Sequence, residues 1–200
     1  MHIPPQTLVT GFGPFPGVDT NPTEQLINHI RDSDLHNATR HLTLPVSFSQ
    51  VLTDLITSVD TYSPTKILHL GVATDANKIR VETRAYNHIK ARVPDIEGRQ
   101  PRNARVTSTR PKAESLAGSL NAVPITALLN DHGFPAEVST DAGRYVCNAL
   151  FYSSLLRFAP ACEVSFIHIP AVDTALPESS TTRWNIESFV RALELILVAL

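Results

Sequence analysis

The sequence predicts an α/β sandwich built on a mostly parallel sheet. Strand-like apolar runs alternate with segments of helical periodicity along the 200 residues, an order typical of parallel strands covered by helices. One run, 66–72, is almost continuously apolar, as expected for a strand that is buried on both faces. No internal repeat, low-complexity run or clear linker interrupts the chain. Its length and its hydrophobic content of 42% predict a single domain over residues 1–200.

Strand-like segments recur from the first residues to near the end of the chain. They cover 7–11, 41–46, 66–72, 136–139 and 163–169, with a further strand within 79–89. Between 74 and 117 the sequence is otherwise irregular and charged. We expect a solvated loop there, although a mobile flap or a subunit contact would fit the same composition.

Helical segments lie between these strands and have recognisable start signals. Before the first helix, Asn21, Pro22 and Glu24 supply an N-cap, an N1 proline and an acidic first turn. Ser47 can cap a second helix, whose apolar face we expect to comprise Val51, Leu52, Leu55, Ile56 and Val59. Further helices are predicted over 122–131, 146–158 and 181–200.

Composition and charge narrow the class of protein. Seventeen basic and nineteen acidic residues give a net charge of −2, which does not favour nucleic acid or an anionic membrane as the main partner. The two cysteines, Cys147 and Cys162, are too few for a disulfide scaffold and suit a reducing compartment. The first residues do not resemble a secretion signal, and the longest apolar stretch, 193–200, is far shorter than a membrane span. We therefore expect a soluble cytoplasmic protein.

Cys147 lies between a predicted short strand and a predicted helix. At a helix N-terminus the dipole favours the thiolate, and free backbone N–H groups can bind an oxyanion. This position suits a catalytic nucleophile. A buried structural cysteine fits the position equally well, because free cysteines are often buried. Cys162 follows Pro160 without such a setting, and we interpret it as structural.

Two other ionisable residues are candidates for acid–base chemistry. His168 lies near the carboxyl end of the predicted strand 163–169, where α/β sheets carry their sites, and it could accept the thiol proton. Glu82 could orient that histidine. From their positions alone, a core histidine and a surface ion pair of Glu82 with Arg80 or Arg84 are the simpler interpretations. The other histidines have no metal-ligand spacing, and we expect no metal site.

A turn rich in glycine and proline, 11–17, follows the first strand. It differs from a dinucleotide-binding fingerprint because Pro16 replaces the third glycine, and Pro14 and Pro16 lack the N–H groups that a pyrophosphate needs. Phe12 and Phe15 in this turn could form an apolar wall for a small neutral ring. Core packing is the alternative for both phenylalanines.

Several separated segments together resemble the pyroglutamyl peptidase type I family, also called pyrrolidone-carboxyl peptidases. Residues 9–15, followed by Asn21-Pro22, look like the family's N-terminal signature. Residues 142–147 and 166–170 are similar to the segments that hold its cysteine nucleophile and its histidine. The stretch 82–87 looks like the one with the acidic triad member, and 91–101 is similar to a motif whose arginine lies beside the site.

This resemblance implies a three-layer α/β/α sandwich and a cysteine peptidase that removes an N-terminal 5-oxoproline (pyroglutamate) from peptides. It implies a triad of Cys147, His168 and Glu82. The 5-oxoproline ring would be held by Phe12, Phe15 and the backbone of Tyr145 and Val146, with Arg92 close to the nucleophile. For Arg92, a solvated loop cation is the simpler interpretation without the resemblance. The family uses no cofactor and often forms dimers or tetramers.

The sequence also departs from the pattern of bacterial relatives. After Gly71 it reads Val72-Ala73-Thr74-Asp75, where some bacterial relatives have a glutamine and a Gly-Gly-Arg run, and Arg84 and Tyr86 replace smaller residues. These differences affect the expected shape of the pocket more than the expected catalytic chemistry. Two alternatives remain open: a related cysteine amidohydrolase for another N-blocked or lactam substrate, and an inactive binding protein that retains the pocket.

Overall fold

A central sheet covered by helices on both faces forms the framework. The computed structural model describes residues 7–31, 39–172 and 184–200. In chain order, the elements of these ranges are β1 Thr7–Phe12, α1 Pro22–Arg31, β2 Thr39–Leu44, α2 Val51–Tyr62, β3 Lys66–Ala73, β4 Ile79–Glu82, β5 Arg84–Tyr86, β6 Ser115–Ala117, α3 Ala122–Asp131, β7 Ala136–Ser139, α4 Val146–Phe158, β8 Glu163–Pro170 and α5 Ile186–Ala199. None of the helices described is long and apolar enough to cross a membrane.

The main sheet is mixed but mostly parallel. Its strand order is β2-β1-β3-β8-β4-β7, and β5 and β6 form a separate two-stranded ribbon. All neighbouring pairs in the main sheet are parallel except β4 and β8, which run antiparallel. The predicted α/β class with a mostly parallel sheet is confirmed.

Two apolar cores lie on opposite faces of this sheet. Successive strand residues alternate between them, as a pleated strand requires: Ile67 and Phe166 belong to one core, and Leu68 and Ile167 belong to the other. Helices α1, α3 and α5 contribute to the core of Leu68, whereas α2 and α4 contribute to the core of Phe166. The result is the three-layer arrangement that the resemblance implied.

Local hydrogen bonds explain where the first helix begins. The Asn21 carboxamide oxygen accepts the Thr23 N–H at 3.1 Å, so the predicted N-cap signal operates at the start of α1. Asn21 also donates to the Gly13 carbonyl at 3.0 Å, and the Thr23 hydroxyl accepts the Phe12 N–H at 2.9 Å. These bonds tie the turn after β1 to helix α1. Before α2, the Ser47 hydroxyl accepts the Gln50 N–H at 3.2 Å in the turn ahead of the helix. The N-cap of α2 is Gln50, which makes no side-chain capping bond, so the prediction that Ser47 caps this helix is wrong.

The sequence placed most elements but misjudged the strands within the segment 74–117. Strand β2 begins two residues before the predicted start, and the predicted strand within 79–89 divides into β4 and β5. Strand β6 was not predicted. From 90 to 114 the segment is irregular and mostly exposed or half-buried, as expected of a solvated loop, although Ala91 and Asp95 are buried. The last helix begins at Ile186, and the predicted start over 181–183 lies outside the described residues.

Candidate active site

Three ionisable side chains meet where β4 and β8 approach the start of α4. Glu82 is the last residue of β4, and its Oε1 lies 2.8 Å from Nδ1 of His168 on β8. Both side chains are buried, with 1% of Glu82 and 6% of His168 exposed. Cys147, in the first turn of α4, lines the same cleft as His168 and lies close enough to raise its pKa. The structure therefore brings the three predicted catalytic residues together.

The charge state of His168 depends on these two neighbours. Burial disfavours the imidazolium and by itself lowers the pKa of His168. Hydrogen bonds and negative charge from Cys147 and Glu82 outweigh burial and raise the pKa of His168 to about 9. His168 is therefore a cation at neutral pH when the thiolate is beside it, as in an ion pair of cysteine and histidine.

The start of α4 supplies the electrostatic setting for Cys147. Cys147 is the second residue of the helix and is half-buried, whereas Val146 before it is fully buried. The first backbone bond of the helix runs from the Ala149 N–H to the Tyr145 carbonyl at 3.1 Å. The N–H groups of the residues before Ala149 have no acceptor within the helix. They can stabilise a thiolate or an oxyanion next to Cys147.

An open cleft of about 930 Å³ gives access to the nucleophile. The lining includes two of the three predicted catalytic residues, several charged side chains, and the segment after Gly71 that differs from bacterial relatives. The lining residues are Val72, Ala73, Thr74, Asp75, Arg80, Lys90, Arg92, Val93, Glu137, Val138, Ser139, Thr140, Asp141, Ala142, Gly143, Arg144, Tyr145, Cys147 and His168. Arg92 and Tyr145 thus share a cleft with Cys147. The volume is sufficient for a small organic ligand or a short peptide segment.

The two predicted ring-binding phenylalanines, Phe12 and Phe15, pack in an apolar core close to Cys147 and do not line the cleft. Phe12 is only 2% exposed, and Phe15 is partly exposed. Both pack in the apolar cluster that also contains Tyr145, Val146 and Cys147. Phe12, Phe15 and Val146 are absent from the lining of the large cleft, so their contact with a substrate stays a prediction.

Tyr145 links the start of α4 to a loop that follows β5. Its hydroxyl donates to the Pro94 carbonyl at 2.9 Å, and its ring meets the edge of Phe48 with centroids 5.4 Å apart. Burial, together with the negative charges of Asp95 and Cys147, raises the pKa of Tyr145 to about 12. Tyr145 is therefore neutral over the physiological pH range and acts as a hydrogen-bond donor.

Sequence reasoning missed Asp95, which holds this loop in place. Its buried carboxylate accepts N–H groups of Phe48 at 2.9 Å, Glu97 at 3.0 Å and Arg99 at 2.8 Å. The bonds to residues two and four positions ahead are a local turn that an aspartate followed by Glu97-Gly98 could have suggested. The bond to Phe48 crosses 47 residues and leaves no local signal in the sequence.

Asn148 is a second buried residue that the sequence did not single out. Its carboxamide accepts the Tyr86 N–H at 2.8 Å and donates to the carbonyls of Tyr86 at 2.9 Å and His88 at 3.1 Å. The residue after the nucleophile thus fixes the backbone of β5 and the segment that follows. The available signal was an asparagine within an apolar predicted helix, which indicates a buried amide in need of partners but does not identify them.

The surface ion pair considered for Glu82 does not form. Arg80 instead pairs with Glu137 at 3.3 Å and Asp75 at 3.4 Å, and Arg84 donates to the Ser115 hydroxyl at 3.0 Å. Among the described residues, no cluster of three or more His, Cys, Asp or Glu side chains could hold a metal ion.

Comparison with known proteins identifies the family. The model of the pyroglutamyl peptidase family matches residues 5–200. The chain belongs to the pyroglutamyl peptidase family. It is 31% identical to the pyrrolidone-carboxylate peptidase of Thermococcus litoralis, over 95% of this chain and 90% of that relative. A pyrrolidone-carboxylate peptidase of Streptococcus pyogenes serotype M12 is 29% identical, over 96% of this chain and 91% of its own length.

Solved structures agree with this family assignment. Pyroglutamyl peptidase I of Bacillus amyloliquefaciens superposes with a TM-score of 0.87 at 28% identity, covering 98% of this chain and 94% of that one. Pyrrolidone carboxyl peptidase of Thermus thermophilus gives a TM-score of 0.85 at 29% identity, covering 97% and 100%. The resemblance seen in the sequence is thus confirmed, and with it, at the level of the family, the expectation of a cysteine hydrolase specific for N-terminal pyroglutamate.

Proposed function

We propose that residues 1–200 form one cysteine peptidase domain that hydrolyses the amide between an N-terminal 5-oxoproline and the next residue. The observation that carries this proposal is the buried pair of Glu82 and His168, which meets Cys147 at the start of α4. Burying a charged pair costs desolvation free energy, so a pair retained in the interior indicates a functional role. A nucleophile, a base and an orienting carboxylate are what thiol-based acyl transfer requires.

In the first step the Cys147 thiolate attacks the carbonyl carbon of the 5-oxoprolyl residue. The carbonyl oxygen becomes an oxyanion, which the free N–H groups of the first turn of α4 can stabilise. When the C–N bond breaks, the His168 imidazolium gives its proton to the leaving nitrogen. The products of this step are a 5-oxoprolyl thioester on Cys147 and a peptide with a free amino group.

In the second step water replaces the peptide. Neutral His168 removes a proton from the water, and the resulting oxygen nucleophile attacks the thioester carbon. The C–S bond breaks, 5-oxoproline leaves as the free acid, and the Cys147 thiolate again lies beside a protonated His168. One water is consumed for each amide cleaved. Glu82 accepts the hydrogen bond of His168 Nδ1 throughout, which fixes the ring and leaves Nε2 for the thiol and the substrate.

The ring slot we propose consists of Phe12, Phe15, Tyr145 and Val146. Their shared apolar cluster next to Cys147 supports this assignment, because 5-oxoproline is small, flat and uncharged. Backbone groups near Tyr145 would pair with the lactam N–H and C=O. Arg92 lines the same cleft as the nucleophile, which supports a position close to the reacting group.

A related amidohydrolase activity is the second candidate. One observation favours it. The segment Val72, Ala73, Thr74 and Asp75, which differs from bacterial relatives, lines the cleft with Cys147, so these residues would face the substrate. An inactive binding protein is less well supported, because ligand binding alone does not need the complete arrangement of Glu82, His168 and Cys147.

We also propose a cytoplasmic location and assembly into homo-oligomers. Both cysteines are free, which suits a reducing compartment, and a net charge of −2 gives no reason to expect nucleic acid or membranes as partners. Homo-oligomers follow only from the family resemblance. Light scattering on the purified chain measures the oligomeric state directly.

Turnover of a fluorogenic 5-oxoprolyl amide, run beside a calorimetric titration with 5-oxoproline, tests the proposed function. We expect release of the fluorophore by the wild-type protein and none by Cys147→Ala, with 5-oxoproline still bound by the variant. Binding without turnover by the wild-type protein would favour the binding protein. Neither binding nor turnover would favour an amidohydrolase for another substrate.

A further inference from the structure

Some of the charged side chains that line the cleft form ion pairs, and others do not. Its three acidic residues all have cationic partners: Asp75 and Glu137 pair with Arg80, and Asp141 pairs with Arg144. Glu137 lies in addition 4.0 Å from Lys78. These acids are therefore largely neutralised by their neighbours, and they do not oppose an anion that enters the cleft.

Two cations in the same cleft have no such partner. Lys90 and Arg92 line it, both side chains are exposed, and neither forms an ion pair with any residue that the structure describes. Two unpaired cations, in a cleft whose three acids each have a cationic partner, produce a positive potential there.

The backbone under these cations is held firmly against the start of α4. The Lys90 N–H donates to the Arg144 carbonyl at 2.9 Å, and the Ala91 N–H donates to the Pro101 carbonyl at 2.8 Å. The Arg92 carbonyl accepts from the Gln100 side chain at 2.7 Å. The anchor of Lys90 is thus a residue only three positions before Cys147, so the backbone that carries the two cations is tied to the segment leading into α4.

We propose that this part of the cleft binds a carboxylate on the leaving side of the cleaved amide. This inference rests on the proposed function, since it concerns the peptide that follows 5-oxoproline. Because the 5-oxoproline ring is neutral and its proposed slot is apolar, the ring would not form an ion pair with either cation. The leaving peptide must occupy the rest of the cleft. Its carboxylate can come from an acidic side chain or from the C-terminus of a very short peptide.

A set of four peptides distinguishes these two sources. 5-Oxoprolyl-glutamine amide carries no carboxylate, 5-oxoprolyl-glutamate amide carries one on the side chain, and 5-oxoprolyl-glutamine with a free C-terminus carries one at the end. 5-Oxoprolyl-glutamate with a free C-terminus carries both. The kcat/KM of each, divided by that of the neutral amide, measures the preference. We expect at least one singly charged peptide to be preferred by about threefold, the size of exposed charge pairs.

Salt and single substitutions test where the preference originates. It should decline with added NaCl, because exposed charges are screened, and it should fall towards one in Lys90→Gln and in Arg92→Gln. The matched control is Arg105→Gln, which removes one exposed cation that does not line the cleft and should leave the ratio unchanged. The salt series uses the wild-type chain and so does not depend on any variant folding.

The outcomes separate this inference from the proposed function. Cleavage of all four peptides at equal rates, or a preference that Arg105→Gln removes as fully as Lys90→Gln does, overturns the carboxylate site and leaves the peptidase intact. Cleavage of none of them, the neutral amide included, overturns the proposed function and this inference with it.

Discussion

The two cysteines of the chain lie in contrasting electrostatic surroundings. Cys147 is half-buried at the positive end of α4 and lies beside His168. Cys162 is buried, and burial together with the negative charge of Glu163 raises the pKa of its thiol to about 11. At neutral pH Cys162 is therefore an uncharged thiol and a poor nucleophile.

This contrast predicts which cysteine reacts. Iodoacetamide at neutral pH should label Cys147 first and inactivate the enzyme in proportion, as followed by peptide mass spectrometry. Cys147→Ala should lose several orders of magnitude in turnover, on the order of 10⁶ in the subtilisin example. The control, Cys162→Ser, should retain most activity. Inactivation that follows labelling of Cys162 would contradict the assignment.

The raised pKa of His168 predicts the alkaline side of the pH profile. Activity should fall as the pH rises through about 9, because the leaving amine then finds no imidazolium proton. The same shift affects stability with a defined sign. A histidine pKa raised above its ordinary value of 6.5 stabilises the fold fully below pH 6.5, and that contribution is lost as the pH rises towards 9.

Glu82→Gln should move this alkaline limb to lower pH and lower kcat without abolishing it. The substitution removes one of the two groups that raise the pKa of His168, yet it leaves the nucleophile and the base in place. The measurement is kcat/KM against pH for both proteins. Wild-type kinetics and an unchanged limb in the variant would remove Glu82 from the catalytic triad.

Individual residues differ in how far the sequence could predict them. Cys147 could be predicted as a candidate from the sequence because its position at the start of an apolar helix is a local feature. The burial of Phe12 was not, because it depends on Leu44, Val46 and Leu150 from distant parts of the chain. Asp95 and Asn148 act through bonds that span 47 and about 60 residues, and no local pattern encodes such a partner.

At the scale of elements, the position of α4 relative to β5 determines the geometry of the site. Asn148 makes three hydrogen bonds to the backbone of Tyr86 and His88, and this connection lies one residue from the nucleophile. Between β3 and β8, the absence of a side chain on Gly71 is equally important. A Cβ there would lie 2.9 Å from the Phe166 ring and 3.0 Å from Cδ2 of His168.

Asn148→Ala tests the connection between α4 and β5. Loss of partners for the half-buried Tyr86 and His88 backbone groups should lower the midpoint of thermal unfolding, since an unsatisfied group costs up to about 1–3 kcal/mol when fully buried. We also expect kcat/KM to fall at least tenfold at a temperature where the variant is folded, because small displacements near the reacting groups are costly.

Asn130→Ala, at an exposed position, is the control for loss of the same kind of bonds away from the site. Its carboxamide makes the same kind of bonds, accepting the Ala136 N–H at 3.1 Å and donating to the Ala136 carbonyl at 3.0 Å, on a different helix and outside the cleft. It should lower stability and leave kcat/KM near the wild-type value. Equal losses of activity in the two variants would show that Asn148 contributes to general stability only.

Elements that carry their own local signals were predicted well. Helices α3 and α4 and strand β7 have the predicted bounds, because apolar periodicity and flanking proline or glycine mark them. Strands β5 and β6 have three residues each and pair with each other across the long segment between them. Segments this short have no measurable period, and their pairing depends on tertiary structure.

At the scale of the whole molecule, the sheet order assembles the site. Glu82 and His168 are 86 residues apart in the chain and meet because β4 runs antiparallel to β8 in an otherwise parallel sheet. The alternation of strands and helices predicted the α/β class. It did not predict this reversed strand, since direction in a sheet is set by the connections and not by the residues of the strand.

The specificity for 5-oxoproline is the central claim, and matched amide reporters with one fluorophore test it most directly. Proline lacks the ring carbonyl and carries a charged amine, and glutamate adds a carboxylate. Each buried group left unpaired costs about 1–3 kcal/mol and a buried charge costs more. We predict measurable kcat/KM for the 5-oxoprolyl reporter and essentially none for the prolyl and glutamyl reporters. Comparable kcat/KM for the prolyl and 5-oxoprolyl reporters would contradict the account, even with Cys147 as the nucleophile.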